Sequence, residues 1–417
     1  FNGKEVFYAV SNKGTVILKP ADEMTSEEKA LFSSEERKQT KIAVPIEKIQ
    51  LDQKSILNMR DIDASASGIL SGPKAANLGQ LKKMFPDHVV EGLVIPFGIF
   101  RDHMNLPMPG QGKSYWEFLT EMFETAEAKR QAGTPDAQVV DYQLAKLATL
   151  RDAINAMQLK PAFVSELRNS FASIFGKPIG QAPVFLRSDT NMEDLKEFTG
   201  AGLNLTLFNV VEEQKILDGI KKVWASPYTE RSFKWRQVYL SNPENVFPSI
   251  LVIPSVDVDY SGVMITKGIN EGTDEDLTVA FSRGAGGAVD GQAAETRLVT
   301  ANTTKLLAPA RQPDYIRLPV SGGTKGYSTS FEASILNEKN IQSLREVAEE
   351  IRSKIPEETN SNPKAAYDVE LGFQDDKLWL FQIRPFVENK NALSNGYLDS
   401  ISPKTNPDEY IEMDSKL

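Results

Sequence analysis

The segment Tyr367–Phe386 (YDVELGFQDDKLWLFQIRPF) alternates polar, chemically active side chains with apolar ones. Successive side chains of a strand point to opposite faces, so the alternation on both sides of residues 375–377 (DDK) predicts a β-hairpin. A three-residue turn at 375–377 places two polar pairs directly opposite each other: Glu370 with Gln382, and Asp368 with Arg384. Two carboxylates, an amide and a guanidinium then share one face.

The other face of this hairpin is predicted to be apolar throughout. Its facing pairs are Val369–Ile383, Leu371–Phe381 and Phe373–Trp379. On the polar face, a carboxylate with an amide oxygen suits Mg²⁺, and a neighbouring arginine suits a phosphate that Mg²⁺ bridges. A cross-strand salt bridge on a solvated face is the alternative. The interpretation depends on the turn, because a two-residue turn breaks this register.

A second candidate is the segment 71–78 (SGPKAANL), which has the features of a helix start. Pro73 suits the first helical position, and Lys74 then falls in the first turn, where the helix dipole disfavours a cation. A phosphate bound at the helix N-terminus would offset that cost. The alternative is a solvated lysine.

Two glycine-rich stretches complete the candidates. In PVFLRSDTNMEDLKEFTGAG an apolar strand is predicted to end at Arg187, and the stretch closes on Thr199, Gly200 and Gly202. Glycines let a backbone approach an anion closely. The second stretch, 282–287 (SRGAGG), follows an apolar run but fits neither the dinucleotide nor the Walker pattern. A capping arginine and plain loops are the alternatives.

Composition limits the chemistry that this chain can perform. It has 417 residues, a net charge of −10, no cysteine and two histidines. Thiolate metal sites, disulfides and cysteine nucleophiles are excluded, and a serine–histidine–aspartate triad would need His88 or His103, both at predicted loop edges. The acidic balance argues against a general nucleic-acid binder, and no apolar run reaches the roughly 20 residues that cross a bilayer. The chemistry is expected to use lysine, arginine, carboxylates and backbone amides.

The remaining pattern predicts a mixed α/β or α+β chain. Residues 5–19 alternate as a hairpin, and 25–38 fit a short exposed helix or a linker. Helical periodicity dominates 114–176, and the short apolar runs that predict strands are 183–187, 248–254, 262–266 and 277–282. The chain begins at Phe1, so we expect a piece of a longer chain or a processed product.

Taken in order, these motifs resemble the nucleotide-binding domain of the pyruvate phosphate dikinase and phosphoenolpyruvate synthase family. The motifs that carry the resemblance are Gly-x-Lys-Ala-x-Asn-Leu, Arg-Ser-x-x-x-x-Glu-Asp-Leu, a glycine loop, and Asp-x-Glu followed by Gln-x-Arg-Pro. WASPYTERSFKWR at 224–236, SGVMIT at 261–266 and GAGGAVDG at 284–291 also match. The resemblance covers about residues 66–387.

The resemblance implies an ATP-grasp-like α+β fold of several subdomains with a helix-rich insertion. Its implied divisions are an N-terminal appendage at 1–60, N-terminal subdomains at 61–245, a C-terminal subdomain at 246–387 and a tail or linker at 388–417. The implied cofactors are ATP and Mg²⁺. The implied site residues are Lys74 and Arg187 on the phosphates, a covering loop at Thr199, Gly200 and Gly202, metal ligands Glu370 and Gln382, Arg384 on the terminal phosphate, and Asp368 in support.

In this family the domain phosphorylates a histidine on a swivelling domain, which carries the group to a pyruvate or phosphoenolpyruvate domain. No histidine follows residue 387, so the histidine domain is expected in cis or in trans beyond this sequence. A cytoplasmic location is expected from the ATP chemistry. Small-molecule transfer, as in rifampin phosphotransferases, and a catalytically degenerate nucleotide-binding or regulatory module are the alternatives. The second is favoured by Gly287, where the family has an acidic residue, and by Val252-Ile253-Pro254 at the hinge.

Overall fold

The computed structural model describes most of the chain, in two compact units. The described residues are 4–10, 16–33, 41–193, 205–269, 272–287, 294–330, 333–387 and 396–401. One unit combines residues 1–40 with 387–417, and the other comprises residues 41–386.

The smaller unit contains the predicted N-terminal hairpin. Strand β1 (Val6–Val10) pairs antiparallel with β2 (Val16–Pro20), and helix α1 spans Ser26–Ser33. Glu28 of α1 accepts a hydrogen bond from the Tyr397 hydroxyl at 2.9 Å, within a C-terminal helix at Gly396–Ile401. The described part of the segment predicted to be a tail, Gly396–Ile401, therefore contacts α1 within this unit.

In the described residues, the larger unit contains two large antiparallel sheets and a two-stranded ribbon. The first has the strands β3 (Leu57–Asn58), β4 (Leu93–Ile95), β5 (Val184–Thr190), β6 (Thr206–Val210) and β7 (Pro248–Pro254). Their spatial order is β3-β4-β7-β5-β6. The central strands β5 and β7 are buried along almost their whole length, as their apolar runs predict.

The second sheet contains six strands and includes the predicted hairpin. Its strands are β8 (Tyr260–Ile265), β9 (Leu277–Arg283), β10 (Glu295–Val299), β11 (Thr304–Ala308), β14 (Tyr367–Gln374) and β15 (Lys377–Pro385). The strands β12 (Asp314–Arg317) and β13 (Lys325–Ser328) lie between β11 and β14 in the chain and form a separate two-stranded ribbon. Their order is β11-β10-β9-β8-β14-β15. The hairpin β14–β15 thus forms one edge of this sheet.

Eight helices of this unit cover the two sheets. They are α2 (Pro73–Met84), α3 (Phe97–Met104), α4 (Tyr115–Gln131), α5 (Asp136–Ala156), α6 (Pro161–Phe175), α7 (Glu213–Ala225), α8 (Glu230–Tyr239) and α9 (Glu338–Thr359). Helices α3 to α7 contribute to one apolar core with the five-stranded sheet, and α2 and α9 to another with the six-stranded sheet. Helix α2 contacts β5, β7 and β15, so its N-terminus lies where the two sheets meet.

Helical periodicity over 114–176 is confirmed by α4, α5 and α6, and the four predicted apolar strands are confirmed by β5, β7, β8 and β9. Residues 41–60 lie in the larger unit, where β3 pairs with β4. Strand β7 pairs with β4 and β5, and the six-stranded sheet begins with β8. The expected domain divisions stay predictions.

None of the helices in the described ranges combines the length and apolar character that a membrane crossing requires.

Candidate functional site

The predicted polar pairs form at the base of the β14–β15 hairpin, although the predicted turn is wrong. Asp375 and Asp376 have φ values of 49° and 61°, and Gln374 pairs with Lys377. The turn therefore has two residues, both in the left-handed region, as in a type I′ hairpin. Such a turn by itself shifts the register by one residue.

A β-bulge restores the register before it reaches the site. The pairing shifts between Glu370 and Leu371, and Phe381 is the extra residue on β15. Below this bulge Glu370 lies opposite Gln382, and Asp368 opposite Arg384, as predicted.

Above the bulge the predicted apolar pairs are replaced. Leu371 pairs with Leu380, and Phe373 with Leu378, instead of Phe381 and Trp379. Leu378 and Leu380 are buried, which keeps the core face apolar.

Arg187 joins the two sheets at this hairpin. It lies in the middle of β5, which runs on to Thr190 instead of ending at Arg187. Its Nη2 donates to Gln382 Oε1 at 2.5 Å and to Glu370 Oε2 at 3.3 Å, and its Nη1 donates to the Phe381 carbonyl at 2.8 Å. The bulge leaves this carbonyl outside the regular ladder. One guanidinium thus contacts both predicted metal ligands and the main chain of β15 at the bulge.

Asp368 and Arg384 form the second polar pair of the hairpin. Arg384 Nε and Nη2 both approach Asp368 Oδ2, at 2.9 and 2.8 Å. In the part of the chain that is described, Asp368 Oδ1 is buried and has no hydrogen-bond partner. Arg384 and Asp368 thus lie two paired positions from Gln382 and Glu370, on the same face of the strands.

Lys74 stands at the N-terminus of α2, as predicted, but the position proposed for a phosphate contains a carboxylate of the protein. Asp189 of β5 accepts the Lys74 backbone N–H at 2.8 Å and the Ala75 N–H at 3.0 Å. A Cβ at Gly72, the residue before the helix, would lie 2.3 Å from Asp189 Oδ1. Glycine at position 72 therefore lets the carboxylate reach the helix end.

The Lys74 ammonium is bound within the same region. It donates to the Ser188 carbonyl at 2.9 Å and forms a short ion pair with Glu193. Burial and the Glu193 carboxylate raise the pKa of Asp189 to about 7, while Lys74 and the two helix N–H groups oppose the rise. This cluster lies under α2 and is almost closed to solvent, since the Lys74 side chain is 17% exposed and that of Glu193 4%.

Of the two glycine-rich loops, the structure describes the one at residues 282–287. Thr199, Gly200 and Gly202 lie outside the described residues. The second glycine-rich loop is held by the β12 strand: Ala285 N–H donates to the Ile316 carbonyl at 3.0 Å, and a Cβ at Gly284 would lie 2.1 Å from that oxygen. The close approach at Gly284 therefore serves packing within the protein.

The two histidines lie away from these clusters. His103 is inside α3, 1% exposed, instead of at a loop edge. Its Nδ1 contacts the Ile99 carbonyl at 2.8 Å and its Nε2 accepts the Lys160 N–H at 3.2 Å, and burial lowers its pKa. His88 Nδ1 contacts the Leu378 carbonyl at 3.0 Å. Neither contact is with a serine or an aspartate, so no triad is formed through these nitrogens.

Sequence reasoning missed the residues that position the site. Asn77 Nδ2 donates to the Ile383 carbonyl at 3.2 Å and so ties α2 to β15. Ser249 Oγ accepts the Gly72 N–H at 3.1 Å and donates to the Asp189 carbonyl at 2.7 Å. Asn77 and Glu193 stand in motifs that the sequence already singled out, whereas nothing local marks Ser249.

The oxygens of Glu370 and Gln382 are of the kind that Mg²⁺ prefers, and both lie against a single nitrogen of Arg187. These residues therefore fit a divalent cation that takes its remaining ligands from a nucleotide and water. No larger group of three or more acidic or histidine side chains able to hold a metal occurs in the described ranges.

Comparison with known proteins shows what this chain is similar to. A probable phosphoenolpyruvate synthase of Pyrococcus abyssi is 26% identical over 259 residues, which are 59% of this chain and 31% of that protein. A probable phosphoenolpyruvate synthase of Methanothermobacter thermautotrophicus is 24% identical over 302 residues, 72% of this chain and 38% of that protein. A rifampicin phosphotransferase of Bacillus cereus is 23% identical over 337 residues, 80% of this chain and 36% of that protein.

The chain spans about a third of the length of these curated relatives. Residues 69–401 match the family model described as the AMP/ATP-binding domain of pyruvate phosphate dikinase. This match covers the α2 N-terminus, Arg187 and the whole β14–β15 hairpin. The chain therefore belongs to the pyruvate phosphate dikinase AMP/ATP-binding domain family.

Proposed function

We propose that this chain binds Mg·ATP between its two sheets and donates a phosphoryl or pyrophosphoryl group to a histidine on a domain outside this sequence. The observation that carries the proposal is the convergence of Arg187, Glu370 and Gln382, contributed by different sheets, at one point. Phosphoryl transfer needs positioning and charge neutralisation more than a protein nucleophile. This cluster supplies both kinds of group.

Each side chain has a role that its contacts suggest. Glu370 and Gln382 would hold Mg²⁺, which neutralises charge on the phosphates when bound. Arg187 and Arg384 are planar guanidinium groups, which bind phosphate oxygens in pairs. Lys74 Nζ has three N–H donors, and its contacts with Ser188 and Glu193 use two of them. The third is left for a phosphate oxygen, while Asp189 fills the helix end.

The test is the thermal midpoint of the chain with ATP, in the presence and absence of Mg²⁺. Ligand at about 100 times its dissociation constant adds roughly 2.7 kcal/mol, which shifts the midpoint by several degrees. We expect a Mg²⁺-dependent shift that Glu370→Ala and Lys74→Ala both abolish. Glu357→Ala, at an exposed position of α9, is the matched control and should keep the shift. Absence of any shift with ATP, ADP or GTP would exclude the proposal.

A second candidate function is nucleotide binding without transfer. Gly287 favours it, because the resemblance predicts an acidic residue there, and so does Val252-Ile253-Pro254 at the end of β7. The two functions differ in one product. With ATP labelled at the β or γ phosphate and a histidine domain of a relative added separately, the first predicts acid-labile label on that domain. The second predicts a normal Mg·ATP shift and no label.

A further inference from the structure

The Arg187 guanidinium binds the two oxygens that a metal held by Glu370 and Gln382 would use. Its Nη2 is 2.5 Å from Gln382 Oε1 and 3.3 Å from Glu370 Oε2. Mg²⁺ binds oxygen ligands at about 2.1 Å. A cation at that distance from both oxygens would share them with a positively charged group, so the arginine and the cation compete for the same two ligands.

Arg187 is held in this place by the hairpin itself. Nη1 donates to the Phe381 carbonyl at 2.8 Å, and the side chain is only 11% exposed. The contact comes from the main chain at the bulge, so it does not depend on a ligand. The guanidinium thus donates to three acceptors of the protein, two of which are oxygens of the predicted metal ligands.

Phosphate is the group best able to draw Arg187 away from these oxygens. Guanidinium–phosphate contacts are charge-assisted and often paired, and a nucleotide phosphate carries more negative charge than one glutamate. A bare divalent cation offers no such replacement, since it repels the arginine and leaves it with the Phe381 carbonyl in place of three acceptors. The nucleotide, by contrast, supplies acceptors for the arginine and ligands for the metal at the same time.

We infer that Arg187 competes with a divalent cation for the Glu370 and Gln382 oxygens, so that the cation binds only when nucleotide phosphates take up the arginine. This inference rests on the proposed function, because it concerns the same site. It adds an order: the metal enters with or after the nucleotide, never before it. It also gives Arg187 a second role, because its hydrogen bonds pair one carboxylate oxygen of Glu370 and the amide oxygen of Gln382 until nucleotide binds.

The experiment measures binding of Mn²⁺ alone to the nucleotide-free protein by electron paramagnetic resonance. We expect the wild type to bind Mn²⁺ at least tenfold more weakly than Arg187→Met, in which the competing guanidinium is removed. Arg187→Lys keeps the charge and should remain weak. The double variant Arg187→Met with Glu370→Ala should lose the gained affinity, which assigns the gain to this site. Arg187→Gln provides a second neutral variant, and each variant's thermal midpoint without ligand checks its folding.

Two results would overturn the inference: tight Mn²⁺ binding by the wild type that Glu370→Ala removes, or neutral, folded variants that gain no affinity. The ATP midpoint of the wild type is read independently. A normal Mg·ATP shift with no gain in the neutral variants leaves the proposed function standing and removes the inference. A gain in the neutral variants without any nucleotide shift in the wild type removes the proposed function and leaves only the competition between Arg187 and the cation.

Discussion

Arg187 and Asp189 lie two residues apart on β5, yet they belong to charge clusters of opposite character. Arg187 reaches across to the other sheet and contacts side chains that are partly open, with Glu370 25% exposed. Asp189 is fully buried and completes the N-terminus of α2. The first cluster can exchange partners with a ligand. The second is closed, because the protein has supplied its own anion.

This difference changes how the family's first motif is understood. A glycine followed by a helix N-terminus is an anion site in principle. Here Gly72 permits close approach, but the approaching group is the Asp189 carboxylate. The motif therefore fixes the relative position of α2 and β5, and the proposed function assigns ligand binding in this region to the Lys74 side chain and the hairpin.

The largest expected effect comes from breaking the closed cluster. Asp189→Ala removes the acceptor of two buried helix N–H groups, Lys74 and Ala75. Unpaired buried donors and a disrupted charge cluster should cost about 4 kcal/mol of unfolding free energy. Chemical denaturation measures it. A loss below about 1 kcal/mol would show that the cluster is not closed in the sense described.

The next largest effect is expected in the pH dependence of the unfolding free energy. The pKa of Asp189 rises from 3.8 to about 7 on folding, because of burial and Glu193. Between these values the folded state holds a proton that the unfolded state has released, so stability falls as the pH rises. From pH 5 to pH 7 the wild type should lose ~2 kcal/mol relative to Asp189→Asn. Equal slopes for the two proteins in urea titrations at these pH values would contradict the prediction.

Ser249→Ala tests the support of the same cluster. The hydroxyl accepts the Gly72 N–H and donates to the Asp189 carbonyl, and Ser249 is fully buried. Loss of one acceptor for a buried N–H should cost about 1–2 kcal/mol. Ser353→Ala, at an exposed position of α9, is the control and should be near neutral by the same denaturation measurement.

The smallest stability effect is expected in the open cluster. Without ligand, Glu370→Ala should change the unfolding free energy by less than about 1 kcal/mol, because Arg187 keeps Gln382 and the Phe381 carbonyl. The same variant should lose the Mg·ATP shift completely. A stability loss as large as that of Asp189→Ala would erase the distinction between the two clusters.

The sequence was informative where the signal is local. Apolar periodicity identified α4 to α6 and the strands, and alternation identified the hairpin. The turn length was predicted wrongly because Asp375 and Asp376 both adopt positive φ, which their side chains tolerate but do not require. The pairs at the site were nevertheless right, because an unpredicted bulge shifts the register back by one residue.

The closed cluster lay beyond sequence reasoning for a different reason. Asp189 and Lys74 are 115 positions apart, and their contact depends on how α2 packs against β5. Local pattern gave the helix start at Pro73 correctly. It could not tell a phosphate from a carboxylate at the helix end, since both satisfy the same N–H groups.

The bulge at Phe381 has a consequence for how mutations in this hairpin act. Arg187 binds the carbonyl there, not the ring, so replacing the side chain of Phe381 leaves the acceptor in place. Removing the residue altogether would keep Glu370 opposite Gln382, because the two-residue turn by itself gives that pairing once β15 is one residue shorter. It would also delete the oxygen that holds the arginine. The anchor of the site is thus encoded in the length of a strand, and the type of side chain at position 381 does not decide it.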